Sequence, residues 1–271
     1  MEFADRVVWL TGGGGRIGRA IAAAFAREGA AVGICDVNDD AAAKSLEAVR
    51  AAGGRGAALR GDVSVEGDVD RMLADITKSL GPVDILVTSH GNSPNMPVLE
   101  MDLATWQSAF TVNTQGCFLA CRAAARQMVA RRARGVIINL SSGAATSGRP
   151  GSSAYCGSKA AINMLNHVLA TELGPHGIRV NAISPGLVTP TALRHGEASH
   201  PYLNLMIDMT PLGRTGVPAD VAEAVLALAS DRLGWVTGAN LEVSGGSHCG
   251  RTNAPYTPRL TPPGATPPPR A

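Results

Sequence analysis

Cysteine is sparse in this chain: five residues in 271, with no Cys-x-x-Cys pair among them. That spacing argues against a thiolate metal cluster and fits a reducing compartment. Cys117 and Cys121 do stand one helical turn apart, but two thiols alone read as core packing. An excess of one charge is lacking too. The formal net charge is +2, which gives no reason to expect a nucleic-acid or anionic-membrane partner. No stretch reaches the roughly 18 to 20 apolar residues of a membrane span. The N-terminus shows no basic, apolar, small-residue leader, because the short apolar run 7–10 passes straight into glycines. The expectation is a soluble, cytoplasmic protein with a small-molecule partner.

What is present is an alternation. Apolar runs at 6–10, 31–35, 56–59, 83–87, 136–140, 179–184 and 240–243 read as strands, and the segments between them are helical in composition. The helical segments include 19–29, 41–52, 68–80, 103–132, 155–173 and 220–230. This spacing predicts α/β architecture: one Rossmann-type, doubly wound parallel sheet with helices on both faces. One domain of residues 1–249 is expected, with a lid over about 190–211 that carries His195 and His200. Residues 250–271 are dense in proline and poor in apolar side chains, and read as a disordered or extended tail.

Three stretches carry chemistry. The first is Thr11-Gly12-Gly13-Gly14-Gly15-Arg16-Ile17-Gly18, between a strand and a helix. In that context glycines let the backbone approach a pyrophosphate, and the free N–H groups of the helix start face the anion; outside it, the same run is a flexible loop. The second is Asp36, which ends the second strand about twenty residues past the turn, where a carboxylate accepts from ribose hydroxyls and repels a 2′-phosphate. The alternative is a solvated Asp opening a turn. The third is Ser142 with Tyr155 and Lys159. Four residues apart on a helix, a phenol and an ammonium lie on one face, and a cation beside a phenol favours its ionised form, which suits general acid/base work. Ser142 closes a buried strand at its carboxyl end, where such sheets bind ligands. Alone, Tyr-x-x-x-Lys is a pattern that unrelated helices also contain. Asn113, with Gly116 close by, is unfavourable inside a helix, so another task is expected of it.

Together these motifs resemble the short-chain dehydrogenase/reductase family, in its single-domain branch. The resemblance spans roughly residues 5–248 and rests on Thr11-Gly12 with Gly18, Asp62, Asn113, Ser142, Tyr155 with Lys159, and Pro185-Gly186-Leu187-Val188-Thr189, in family order. It implies an oxidoreductase in which Tyr155 exchanges a proton with the substrate oxygen, Ser142 holds that oxygen, and Lys159 contacts the nicotinamide ribose. Asn113 would anchor a water leading from Lys159 to solvent. Gly12, Arg16, Ile17, Gly18, Asp36, Asp62, Val63, Gly91, Pro185, Gly186, Val188 and Thr189 would form the cofactor site, Asp62 and Val63 flanking the adenine and Thr189 meeting the nicotinamide amide. Asp36 favours NAD over NADP. No metal is implied. The family is commonly a tetramer or dimer, and the face of Ala120, Ala123 and Ala124 is expected to admit a neighbour's helix.

Two positions depart from the family pattern. Arg16 replaces a glycine, as in the pteridine-reductase-like branch, and either reaches an anion or points to water. His90 replaces an alanine in Thr88-Ser89-His90-Gly91, and is either a substrate donor or a structural imidazole. The expected activity is interconversion of a secondary alcohol and a ketone, on a substrate that is neutral or hydrophobic. An NADP(H)-dependent carbonyl reductase is one alternative. The other is a nucleotide-binding scaffold without turnover, in which Tyr155→Phe would change nothing.

Overall fold

The computed structural model describes residues 1–249; the proline-rich 250–271 lies outside the described residues. Seven strands form one parallel sheet: β1 (Val7–Thr11), β2 (Ala31–Asp36), β3 (Arg55–Arg60), β4 (Ile85–Thr88), β5 (Gly135–Leu140), β6 (Ile178–Pro185) and β7 (Asn240–Val243). Their order is β3-β2-β1-β4-β5-β6-β7. Every residue of β1, β4 and β5 is buried. This is why those strands read as unbroken apolar runs: a parallel sheet has both faces covered.

The covers are the connecting helices. On one face α1 (Arg16–Arg27), α2 (Asp39–Ala51) and α8 (Pro218–Ala229) pack a core containing Leu10, Phe25, Ile34 and Val225. On the other, α3 (Glu66–Leu80), α5 (Gly116–Ala130) and α6 (Ser153–Leu173) enclose Trp9, Met72, Ile137 and Val180. Trp9 fits mid-sheet because its indole N–H donates to Cys35 Sγ at 3.3 Å, so the buried ring keeps its polar atom satisfied. The Arg179 guanidinium, buried on β6, donates to the carbonyls of Leu228, Ala229 and Ser230 at 2.8, 3.2 and 3.0 Å. It thereby closes the end of α8, whose last carbonyls have no partner within the helix.

The order reverses between β1 and β4. At such a switch point the loops after neighbouring strands diverge and leave a crevice at the strands' carboxyl ends. Four loops border it: those after β1, β4, β5 and β6. The helix expected over 103–132 is broken. It consists of α4 (Leu103–Ala109), a π-helical turn over Phe110–Gln115, and α5, which ends at Ala130. The segment expected as a lid contains α7 (Pro201–Asp208).

Candidate active site

The glycine turn is shaped by contact as well as by conformation. Gly12 has φ +64°, and a Cβ there would lie 2.4 Å from the His90 backbone, so the loop after β4 rests directly on it. A Cβ on Gly18 would lie 2.6 Å from the Gly12 carbonyl, so turn and helix could not close. The Asp36 carboxylate braces the same turn, accepting from Gly14 N at 2.9 Å and from Asn38 N at 3.0 Å. The buried Ser45 hydroxyl donates to Gly13 O at 2.7 Å, a support that nothing in the sequence flagged.

Helix α1 then starts at Arg16 with no side-chain cap from Gly15 and no acidic residue in its first turn. Its leading N–H groups and positive dipole end are left facing the crevice. An uncapped helix start under a glycine cradle fits the diphosphate of a dinucleotide. Arg16 itself is exposed on the crevice wall, and none of the ion pairs among the described residues involves it.

A cavity of about 1280 Å³ occupies the switch point. Its wall brings together Arg16, Ile17, Gly18, Gly91, Ser142, Tyr155, Lys159, Pro185, Gly186 and Val188. Tyr155 stands in the first turn of α6 and Lys159 one turn later. The Lys159 ammonium is buried, 5.9 Å from the centre of the Tyr155 ring, and donates to Leu140 O at 2.8 Å. Burial lowers its pKa to about 8. Ser142 Oγ accepts from Ala144 N at 3.2 Å, which orients the hydroxyl at the mouth of β5. On the open side, Arg149 sits over the Tyr155 ring at 5.6 Å.

Asn113 lies within the π-helical turn and is fully buried. Its amide accepts from Asn92 N at 2.8 Å and donates to Asn92 O at 2.9 Å and Ser158 Oγ at 2.8 Å. Ser158 Oγ in turn donates to Tyr155 O at 2.8 Å. The side chain thus ties the loop after β4 to the start of α6, the task its poor helix propensity hinted at.

Other sequence-derived residues do not line this cavity. Asp62 Oδ1 accepts from Ser64 N and Ser64 Oγ at 2.8 and 2.7 Å, which holds the turn after β3. Val63 is buried against Gly116, where a Cβ would come within 2.7 Å of its Cγ2. Thr189 donates to Thr191 O at 2.7 Å in the turn that follows β6.

Two expectations are corrected, and one open alternative leans to one side. His195 and His200 do not line the cavity. His195 pairs with Asp208 at 2.7 Å, and His200 caps α7 by accepting from Tyr202 N; Tyr202, Met206 and Met209 line it instead. The Ala120, Ala123 and Ala124 face is buried in this subunit's own core and is not free for a neighbour. His90 resolves toward the structural alternative. Its Nδ1 meets Thr11 Oγ1 at 2.7 Å, and burial, with the Lys159 charge adding to it, lowers its pKa to about 3. The ring is therefore a neutral wedge. Glu242 and His248, absent from the sequence reading, also line the cavity.

A doubly wound parallel sheet with a dinucleotide cradle at its switch point defines a nucleotide-dependent enzyme class. The comparisons narrow it. Residues 15–248 match the family model described as enoyl-(acyl carrier protein) reductase. The chain is 38% identical over 246 residues to a (3R)-3-hydroxyacyl-CoA dehydrogenase of Canis lupus familiaris, covering 88% of this chain and 94% of that one. It is 36% identical over 245 residues to a D-threitol dehydrogenase of Mycolicibacterium smegmatis, covering 89% and 92%. A solved NAD+-bound xylitol dehydrogenase superposes with a TM-score of 0.84 at 31% identity, covering 91% of this chain and all of that one. The chain belongs to the short-chain dehydrogenase/reductase family. It is an oxidoreductase acting on alcohol substrates with a nicotinamide cofactor.

Proposed function

We propose that the protein is an NAD(H)-dependent dehydrogenase interconverting a secondary alcohol and a ketone. The observation that carries this reading is the meeting of Ser142 and Tyr155 on one cavity wall with the Lys159 ammonium buried behind the phenol. In it, Ser142 Oγ holds the substrate oxygen and offsets charge that develops there. The Tyr155 hydroxyl takes or returns the proton of that oxygen, and the fixed Lys159 cation favours the ionised phenol. Asn113 acts by position, setting loop and helix relative to one another. When bound, the nicotinamide ring supplies the two-electron exchange.

Gly12, Ile17 and Gly18 hold the diphosphate in this reading, Asp62 and Val63 border the adenine, and Gly91, Pro185, Gly186, Val188 and Thr189 border the nicotinamide. Asp36 gives the preference for NAD, since a carboxylate fixed at the end of β2 repels a 2′-phosphate. The NAD+ named for the xylitol dehydrogenase neighbour supports that preference. The unpaired Arg16 is the feature that favours NADP instead. The substrate is neutral or hydrophobic, and the working protein is a cytoplasmic homo-oligomer.

Calorimetric titration with NADH and NADPH tests the cofactor assignment. The expected result is NADH binding tighter by about tenfold, or about 1.4 kcal/mol. Tighter NADPH binding would mean that Arg16 outweighs Asp36 and would reverse the assignment. Binding of neither would remove the basis for the catalytic roles.

A further inference from the structure

The short helix α7 presents one face to the reaction cavity. Tyr202, Met206 and Met209 recur at the i, i+4, i+7 step of a helix and line the same cavity as Ser142 and Tyr155. Ile207, on another side of α7, is buried and anchors it. Both ends are held. Asn204 accepts from Gly196 N and donates to Ala198 O, each at 3.0 Å, and His195 meets Asp208 at 2.7 Å. Past the helix, a Cβ on Gly245 would lie 2.7 Å from Thr210 Cγ2, and one on Gly246 2.9 Å from Pro211 Cγ, so the chain rests directly on the loop after β7. Met206 and Met209 are therefore carried on a fixed wall, half-buried and bordering the cavity.

We infer that Met206 and Met209 are specificity-determining residues that take an apolar arm of the substrate, so that the preferred substrates are secondary alcohols and ketones carrying a hydrocarbon chain several carbons long. The inference rests on reading the site as alcohol-oxidising, with Ser142 and Tyr155 holding the oxygen while the arm lies along α7. The loop after β5 offers no such surface: it contributes Ala144, Thr146, Ser147 and Arg149 to the cavity. Apolar surface facing water gains by being covered with hydrocarbon. Methionine, unbranched and polarizable, adapts to chains of differing shape. The stripe from Tyr202 to Met209 runs about 10 Å along the helix, room for an extended chain and not only for a methyl group. A small alcohol would leave the thioethers wet. A polyhydroxylated one would bring its hydroxyls against sulfur atoms that accept hydrogen bonds only weakly.

The test measures kcat/KM on 2-butanol, 2-hexanol and 2-octanol, with the cofactor that titration identifies, for the wild-type protein, Met206→Gln, Met209→Gln and Met206→Leu. Glutamine matches methionine in length but puts an amide where the thioether was. In the wild type kcat/KM should rise about two- to fourfold for each added methylene. Either glutamine variant should lower the ratio of 2-octanol to 2-butanol by about fourfold or more. Met206→Leu, which keeps the apolar surface, should hold that ratio within about twofold. Calorimetric dinucleotide affinity should stay close to wild type in every variant, which shows that each one folds. A wild type that binds dinucleotide but gives a flat or falling series, or turns over none of the three alcohols, overturns the Met206 and Met209 inference alone. A ratio that both glutamine variants leave unchanged overturns it too. A wild type that binds no dinucleotide overturns the oxidoreductase reading and the inference with it.

Discussion

A buried ammonium works against the fold that contains it. Lys159 is 4% exposed with one carbonyl as its hydrogen-bond partner, and burial has drawn its pKa from 10.5 to about 8. A base titrating lower in the folded state than in the unfolded one binds fewer protons when folded over the interval between the two values. Stability therefore rises with pH from about 8 toward 10.5 and is flat below that window. Lys159→Met removes the effect, so wild type should be the weaker of the two near pH 7 and close about 2 to 3 kcal/mol of that difference by pH 10. Denaturant melts of both proteins at the two pH values measure it, and parallel pH dependences would refute it. The residues that bear such charges were legible from spacing: Tyr155 and Lys159 share a helix face as the four-residue step requires. Glu242 was not legible. A lone carboxylate in a short terminal strand looks like an ordinary edge residue until the register places it opposite Ser184 and beside Gly143.

At the scale of elements, the inner strands β1, β4 and β5 could be read because burial on both faces writes itself into sequence as continuous apolar runs, while the half-buried edge strands β3 and β7 were read from their place in the alternation. The π-helical turn could not. One extra residue in a turn leaves composition and periodicity nearly unchanged, so residues 103–132 read as a single helix. The local trace was a pair of residues with poor helix propensity, and the structure explains both. Asn113 uses its amide as the bridge to Asn92 and Ser158. Gly116 has no room for a Cβ, which would meet Val63 Cγ2 at 2.7 Å and His90 Nε2 at 3.0 Å. A π-helical turn at a site is commonly a built feature. Asn113→Ala removes the bonds to Asn92 N, Asn92 O and Ser158 Oγ, of which only Ser158 keeps another partner in Tyr155 O, and should cost about 1 to 3 kcal/mol in chemical denaturation. It should also weaken dinucleotide binding, because the loop after β4 that rests on Gly12 loses its tie to α6. A loss below about 0.5 kcal/mol, the scale of an ordinary surface substitution, would mean that the loop is held by other contacts.

For the whole molecule, the alternation of strands and helices was enough to anticipate the doubly wound sheet, since right-handed crossovers leave few ways to arrange it. Surface use was harder to anticipate, because composition does not say which apolar face a fold keeps for itself. The alanine face of α5 was expected to receive a neighbour and instead packs against this subunit's own sheet. Two of the apolar groups left outside are on α6: Met164 is 62% exposed and Val168, one turn on, 44%. An i, i+4 pair forms a single stripe. Phe118 on α5, 41% exposed, adds an aromatic ring, and exposed apolar surface of this kind on helices that flank a site is characteristic of docking faces. If the proposed homo-oligomer uses it, sedimentation velocity at micromolar concentration should show a dimer or tetramer. The double substitution Met164→Glu with Val168→Glu should then release monomers that still bind dinucleotide, because neither side chain lines the cavity. A wild-type monomer would refute the oligomer outright. An unchanged oligomer in the double variant would move the contact to another face, with the exposed Trp235 and Leu241 beside β7 the next surface to substitute.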